Sequence, residues 1–302
     1  MTVATQHALV ITATRRSVQL LTEDGQTLKG RVSTHARDIT VGDTVAFSLD
    51  RGEAFITKVL SARNYLTRAY QEKKKKLAAN LDRVFIVTAT APLFNEIFVD
   101  RIIAVATREE IPCTLIVNKT DLDLESTLPL VKTYEHLGIP VLYTSAKLGE
   151  GMAAVEEAVR DPSLRIVALA GVSGVGKSSI LNHLIPEAES RTAEVSHRTG
   201  QGRQTTSQSR GYTLHREGAP PLLIIDLPGI QKFGVTHLTK REAADAFIEF
   251  RERARECRFG DCSHTAEEEC GVQDAVDSGA IALSRYVSYL DMIEEIESAR
   301  EY

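Results

Sequence analysis

One junction constrains the fold of this chain more than any other. The apolar run Ile166 to Ala170 passes into Gly171-Val172-Ser173-Gly174-Val175-Gly176-Lys177-Ser178, and a helical pattern starts at Lys177. A strand that turns through glycines into a helix is the layout of a phosphate-binding loop, whose backbone N–H groups surround an anion at the helix N-terminus. Glycine is needed because a Cβ would hold the backbone away from the anion. In such a loop Lys177 reaches the β/γ-phosphates and Ser178 offers its hydroxyl to Mg²⁺, and the nucleotide-binding stretch is expected to run through Ser179. On either side, apolar strands alternate with helical segments. They run Val84 to Thr88, a helix near Phe98 to Glu110, Thr114 to Val117, a helix near Leu128 to Leu137, Val141 to Tyr143, a helix near Met152 to Arg160, and finally Leu222 to Ile225. This βαβ series predicts a mostly parallel sheet covered on both faces, in a central unit at 77–235.

A phosphate loop does not choose a nucleotide by itself. Asn118-Lys119-Thr120-Asp121, placed where a strand ends, looks like the guanine-reading NKxD signature of GTP-hydrolysing enzymes. The Asp121 carboxylate can accept two hydrogen bonds from the N1–H and amine of guanine, a donor pair adenine lacks, so adenine is rejected by an unpaired polar group. Thr144-Ser145-Ala146-Lys147 also follows a strand, and Ser145 and Ala146 are expected to bring backbone donors near guanine O6. Asp226-Leu227-Pro228-Gly229 ends a further strand. There Asp226 is expected to hold Mg²⁺ through water, and the Gly229 N–H to face the γ-phosphate. The order of motifs is reversed from the ordinary one, with the guanine-reading pair before the phosphate loop. That is a circular permutation, which a domain with neighbouring termini tolerates. The polar segment Pro186 to Arg210 reads as a mobile first switch, with Thr206, in preference to Thr205, joining Ser178 on Mg²⁺. Ile230 follows Gly229 where a water-orienting glutamine often stands, so Gln204 is expected to take that task, alongside Lys177 and Thr206, with a slow intrinsic rate.

Upstream, from His7 to about Arg63, short β-branched runs alternate with turn signals such as Asp24-Gly25 and Gly42-Asp43. They predict a small all-β unit at 1–70: a five-stranded oligonucleotide-binding (OB) barrel, or an SH3-like barrel, which fits nearly as well. Lys73 to Lys76, with no apolar periodicity, reads as a linker. Residues 1–76 carry a net charge of +6, against −3 for 77–235 and −8 for 236–302, within an overall −5. A basic N-terminal block hints at a nucleic-acid partner. No apolar run is long enough to cross a bilayer, and the N-terminus lacks a secretory pattern, so a cytoplasmic chain without a membrane role is expected.

The third unit, 236–302, reads as helices around Cys257, Cys262, His264 and Cys270. Four thiolate and imidazole ligands in so short a span suit a tetrahedral Zn²⁺, and a site filled by the protein alone is structural. Reduced thiols are the other reading. Cys113 falls in an apolar strand and is expected to be core.

Together, the permuted order, GVSGVGKSS, NKTD, DLPGI, the Cys-Cys-His-Cys cluster and the basic β-rich start resemble the RsgA (YjeQ) family of small-ribosomal-subunit-dependent GTPases. The resemblance spans nearly the whole chain. It implies an OB-fold, a permuted GTPase domain and a zinc-bearing domain, with GTP/GDP, Mg²⁺ and one structural zinc as cofactors. It also implies hydrolysis stimulated by the small subunit during its late maturation, a grip on ribosomal RNA by the barrel and the zinc domain, nucleotide-gated release, and contact with assembly factors. A monomer is expected. The family's GRHTT stretch reads Gly202-Arg203-Gln204-Thr205-Thr206 here, glutamine replacing histidine. Arg251, Arg253, Arg255 and Arg258 form a basic stretch within the acidic tail. Two other readings remain: an RNA-binding module whose guanine nucleotide is a structural or regulatory ligand, and an ATP-dependent enzyme, which Asp121 disfavours.

Overall fold

The computed structural model describes residues 6–14, 17–32, 38–50, 52–70, 73–186, 188, 208–229 and 232–299. Five strands open the chain: β1 (Gln6–Ala13), β2 (Ser17–Thr22), β3 (Thr27–Val32), β4 (Thr44–Asp50) and β5 (Glu53–Val59). They pair in the order β1-β2-β3-β5-β4, and β4 returns to β1, which closes the barrel. β3 and β5 run parallel. This is the OB order, so of the two barrels the sequence allows, the OB one forms. Period-two alternation puts Val10, Val18, Leu20, Val45, Phe47 and Ile56 inside.

Next comes an antiparallel hairpin, β6 (Tyr65–Tyr70) with β7 (Lys73–Ala79). The expectation of a linker at Lys73 to Lys76 is therefore corrected: these lysines belong to a strand. The strand is held by its other end, where Leu77, Ala78 and Ala79 are fully buried. An apolar period is missing from the lysines because Lys73 to Lys75 stand in solvent.

The central sheet reads β10 (Val141–Tyr143), β9 (Cys113–Asn118), β8 (Arg83–Ala89), β11 (Ile166–Ala170), β13 (Ala219–Asp226) and β12 (Arg210–Arg216). All pairs are parallel except β12 with β13. β12 also pairs with β1 at Thr12 and Arg210, joining the sheet to the barrel. Strands buried on both faces read as unbroken apolar runs. In β8, Val84 and Ile86 face α1 (Glu96–Arg108) and α2 (Leu124–His136), whereas Phe85 and Val87 face α3 (Met152–Arg160) and α4 (Lys177–Leu184). Cys113 opens β9 and packs against the first of these cores, and burial pushes its thiol up to about 12.

The remaining helices are α5 (Lys240–Asp245), α6 (Phe250–Arg253), α7 (Gly271–Asp277) and α8 (Leu283–Ser298). Their apolar faces, including Ala243, Phe247, Tyr289, Met292 and Ile296, extend the core behind α1. Among the described residues no helix is long and apolar enough to cross a membrane.

Candidate functional site

Chain order reverses at β8, which has β9 on one side and β11 on the other. In an open parallel sheet the crevice beyond the carboxyl ends of two such strands is where ligands bind. The predicted motifs gather there. Asn118 closes β9, the glycine loop closes β11, and Asp226 closes β13.

Between Asp121 and Lys177 the decisive link is the side chain of Asn118. Its Nδ2 donates to the Val175 carbonyl at 2.8 Å, while its Oδ1 accepts from Ala146 N at 3.0 Å and Thr144 Oγ1 at 3.2 Å. One buried amide thus ties three separate loops together. It also explains Gly176, which has φ +98°, and where a Cβ would stand 2.1 Å from Asn118 Nδ2. Gly171 is needed for a similar reason, since its Cβ would meet the Val87 carbonyl at 2.4 Å. Gly176 caps α4 without a side-chain acceptor, so the first N–H groups of that helix are left for an anion.

On the guanine side, Asp121 is exposed and its Oδ1 accepts from Ser145 Oγ at 2.5 Å. The Lys119 ammonium donates to the Ala91 carbonyl at 2.6 Å, and Thr90 Oγ1 donates to the Lys119 carbonyl at 2.7 Å. Thr120 N donates to the Thr144 carbonyl. Of the two backbone donors expected near guanine O6, Ser145 N donates to the Glu150 carbonyl at 2.9 Å. The Ala146 N–H, held by Asn118 Oδ1, is the one a base could share. Lys147 lies exposed beside it.

On the phosphate side, Lys177 is only 8% exposed and folds back to donate to the carbonyls of Gly171 and Val172 at 2.8 and 3.2 Å. Burial holds its ammonium below the usual lysine value, with Asp226 opposing. Asp226 is the mirror case: burial pushes its carboxyl up to about 6, with Lys177 opposing, and its Oδ1 is buried without a hydrogen-bond partner. A buried orphan carboxylate oxygen beside a phosphate loop fits a divalent cation, which would satisfy it. Gly229 packs against the loop, since a Cβ there would lie 3.3 Å from Ser173 Cα. Gln204, Thr205, Thr206 and Ile230 lie outside the described residues.

The loop after β8, Thr90 to Pro92, was not anticipated. Its sequence signal was available: a strand at the switch point ends in Thr90-Ala91-Pro92-Leu93, a turn rather than a helix start. Also unread were two buried arginines behind the site. Arg101 on α1 donates to Asp291, Glu295 and the Phe233 carbonyl, and Arg285 on α8 donates to Asp100 and Glu249.

The C-terminal cluster has its own geometry. The ligand atoms of Cys257, Cys262, His264 and Cys270 all lie within 4.8 Å of one another. His264 Nδ1 is 3.6 Å from Cys257 Sγ and 3.5 Å from Cys270 Sγ, and the two sulfurs are 3.9 Å apart. Zinc bonds of roughly 2.3 Å to sulfur and 2.0–2.1 Å to nitrogen give tetrahedral edges of about 3.5–3.8 Å, so these side chains fit the ion. Burial pushes the Cys262 thiol up to about 12, and a coordinated cation is what would hold it as thiolate. The cluster is framed by Tyr286, which donates to the His264 carbonyl at 2.8 Å, and Tyr289, which donates to the Ser263 carbonyl at 2.5 Å. Nearby, Arg253 pairs with Glu256 and Arg258 with Glu269, so two of the four arginines of that stretch are matched by carboxylates.

Known proteins are similar to this chain in sequence and fold. A family model described as RsgA GTPase matches residues 59–236. The small ribosomal subunit biogenesis GTPase RsgA 2 of Bacteroides thetaiotaomicron is 34% identical, with 97% of each chain covered. The small ribosomal subunit biogenesis GTPase RsgA of Paraburkholderia phymatum is 38% identical, covering 95% of this chain and 90% of that one. Among solved structures, YjeQ from Thermotoga maritima superposes with a TM-score of 0.72 at 29% identity, covering 97% of this chain and 99% of that chain. YloQ, described as a circularly permuted GTPase, gives a TM-score of 0.69 at 23% identity over 98% of this chain and 96% of its own, a likeness of fold.

Proposed function

The chain belongs to the RsgA GTPase family, a GTP hydrolase with a role in ribosome biogenesis, and from that premise we propose that it binds the small ribosomal subunit late in maturation and leaves after subunit-stimulated GTP hydrolysis. In this reading Asp121 selects guanine, Ser145 and Lys147 border the base, and the loop from Gly171 to Ser179 wraps the phosphates. Lys177 turns from its own loop's carbonyls to the β- and γ-phosphates. Ser178, Asp226 and Thr206 attend Mg²⁺, which, when bound, neutralises charge on the phosphate oxygens. Gln204 orients the attacking water. A zinc ion on Cys257, Cys262, His264 and Cys270 would serve folding and not chemistry. The barrel unit at 1–70, the nucleotide unit at 77–235 and the metal-bearing unit at 236–302 divide this work, with β6–β7 carrying the chain from the first to the second.

The observation that carries the reading is the hydrogen bond from Asn118 to Val175, which makes one pocket of the guanine-reading and phosphate-binding stretches. The test is multiple-turnover phosphate release with and without purified small subunits. Turnover that subunits leave unchanged would remove the proposed stimulation and favour a nucleotide that only regulates binding. In the same assay Asp121→Ala should lose guanine preference: GTP affinity falls by at least about 100-fold while ATP competes no worse than before. A variant that still discriminated as the parent does would show that Asp121 is not the reader.

A further inference from the structure

The turn that carries Asp121 is closed on one carbonyl. Leu122 N donates to the Lys119 carbonyl at 3.0 Å, so Thr120 and Asp121 are the two central residues of a turn that starts at Lys119. Lys119 has φ +62°, in the left-handed region that side chains other than Asn and Asp rarely adopt, so its backbone has to be held by its surroundings. The loop after β8 does this. Thr90 N donates to the Asn118 carbonyl at 3.2 Å, and Thr90 Oγ1 donates to the Lys119 carbonyl at 2.7 Å. The Ala91 carbonyl takes the Lys119 ammonium at 2.6 Å. Thr90 is only 5% exposed, and a hydroxyl shielded from water makes a stronger bond than an exposed one.

The two bonds to the Lys119 carbonyl have different effects. The bond from Leu122 lies within the turn and moves with it, so it sets the shape of the turn and not its place. The bond from Thr90 comes from the end of β8, which pairs with both β9 and β11, and ties the turn to the middle of the sheet. From the opposite side, Thr120 N donates to the Thr144 carbonyl at 3.1 Å and Ser145 Oγ to Asp121. We propose that Thr90, which lies outside every guanine-reading motif of the sequence, is a positioning residue for guanine selection. Its hydroxyl acts through the Lys119 carbonyl to set where the Asp121 carboxylate meets the N1–H and amine of the base. The proposal deepens the reading of Asp121 given above and rests on it.

GDP is titrated calorimetrically into the full chain as parent, Thr90→Val, Thr90→Ser, Asp121→Ala and the double variant of Thr90→Val with Asp121→Ala. Losing one such hydrogen bond should weaken GDP by about 3- to 10-fold in Thr90→Val. Thr90→Ser retains the hydroxyl and should bind as the parent does. In the Asp121→Ala background, Thr90→Val should change GDP affinity by less than about 2-fold, because the group it positions is gone. A general loosening of the pocket would weaken GDP alike in both backgrounds, and that result overturns the proposal. So does unchanged binding in Thr90→Val, or a loss in Thr90→Ser equal to that in Thr90→Val. Thr90→Ala carries the same expectation and replaces Thr90→Val if the valine chain does not fold. In either variant the Lys119 carbonyl retains its bond from Leu122, so no buried acceptor is orphaned. If Asp121→Ala binds GDP as the parent does, the guanine reading fails and takes the proposal with it. If Asp121→Ala weakens GDP and Thr90→Val does not, the positioning role alone fails.

Discussion

Asp226 shows how burial makes the stability of a nucleotide site depend on pH. Burial raises its carboxyl to about 6, against the opposing pull of Lys177, whereas in an unfolded chain an aspartate titrates near 3.9. Between those two values the folded state binds more protons than the unfolded one. Asp226 therefore contributes stability that is fully present below about pH 4 and is lost as pH rises to about 6, up to roughly 3 kcal/mol. Asp226→Asn removes that dependence. Relative to the parent, the variant's unfolding free energy should climb from pH 4 to 6 and then level off, measured by urea titration without nucleotide. A difference that stayed constant over this range would mean that the carboxylate is not desolvated as its position indicates. With Mg²⁺ and GTP present the parent should gain stability and the variant should gain much less, because a neutral amide gives the cation no charge to meet.

At the scale of elements, α1 and α8 are joined by charge as well as by apolar packing. Arg285 is 2% exposed and is held by Asp100 and Glu249, while Tyr134 donates to Asp100 at 2.8 Å. Removing one partner leaves the other buried and uncompensated, so Arg285→Ala should cost about 3–5 kcal/mol by chemical denaturation. A loss under about 1 kcal/mol would mean that water reaches Asp100 and the packing alone joins the helices. Such residues show why legibility in the sequence was uneven. Strands β8, β9, β11 and β13 are buried on both faces and announce themselves as apolar runs, and the glycine loop carries its own chemistry. Arg101 and Arg285 look like any arginine on a solvated helix face, because their partners stand far away in the chain. β7 was unreadable at Lys73 to Lys76 since its pairing with β6, not its pattern, makes it a strand. β12 was missed because it starts inside a polar segment and is fixed by antiparallel pairing to β13. For the pocket, Asp121, Lys177 and Asp226 were visible as motifs, but the bond from Asn118 to Val175 that unites them depends on neighbouring strands and has no sequence signal.

Across the whole molecule, the segment just past Asp226-Leu227-Pro228-Gly229 is gripped from three elements. Arg101 on α1 donates to the Phe233 carbonyl at 3.0 Å, Glu295 on α8 accepts from Val235 N at 3.1 Å, and Ala69 on β6 bonds Gly234. Gly234 has no room for a side chain, since a Cβ would lie 2.6 Å from the Ala69 carbonyl. The same α8 carries Tyr286 and Tyr289, whose hydroxyls hold the backbone of the cysteine–histidine cluster. Helix α8 thus touches both residues 233–235 and the backbone of the metal ligands, and binding at the nucleotide and metal sites is linked if these contacts have two arrangements. Linkage is reciprocal: if Mg²⁺ and a non-hydrolysable GTP analogue tighten one arrangement, they slow zinc loss to a chelator, and zinc removal weakens the analogue by the same factor, expected at about 5-fold or more. Glu295→Gln retains the shape of the side chain but weakens its hold on Arg101 and Val235, so it should lower that factor while both sites still bind. Zinc-release kinetics and analogue titrations on the parent and the variant measure both sides of the cycle. Equal zinc loss with and without the analogue would show that the grip on residues 233–235 is static, and that the permuted exit from the nucleotide site joins the two ends without coupling them.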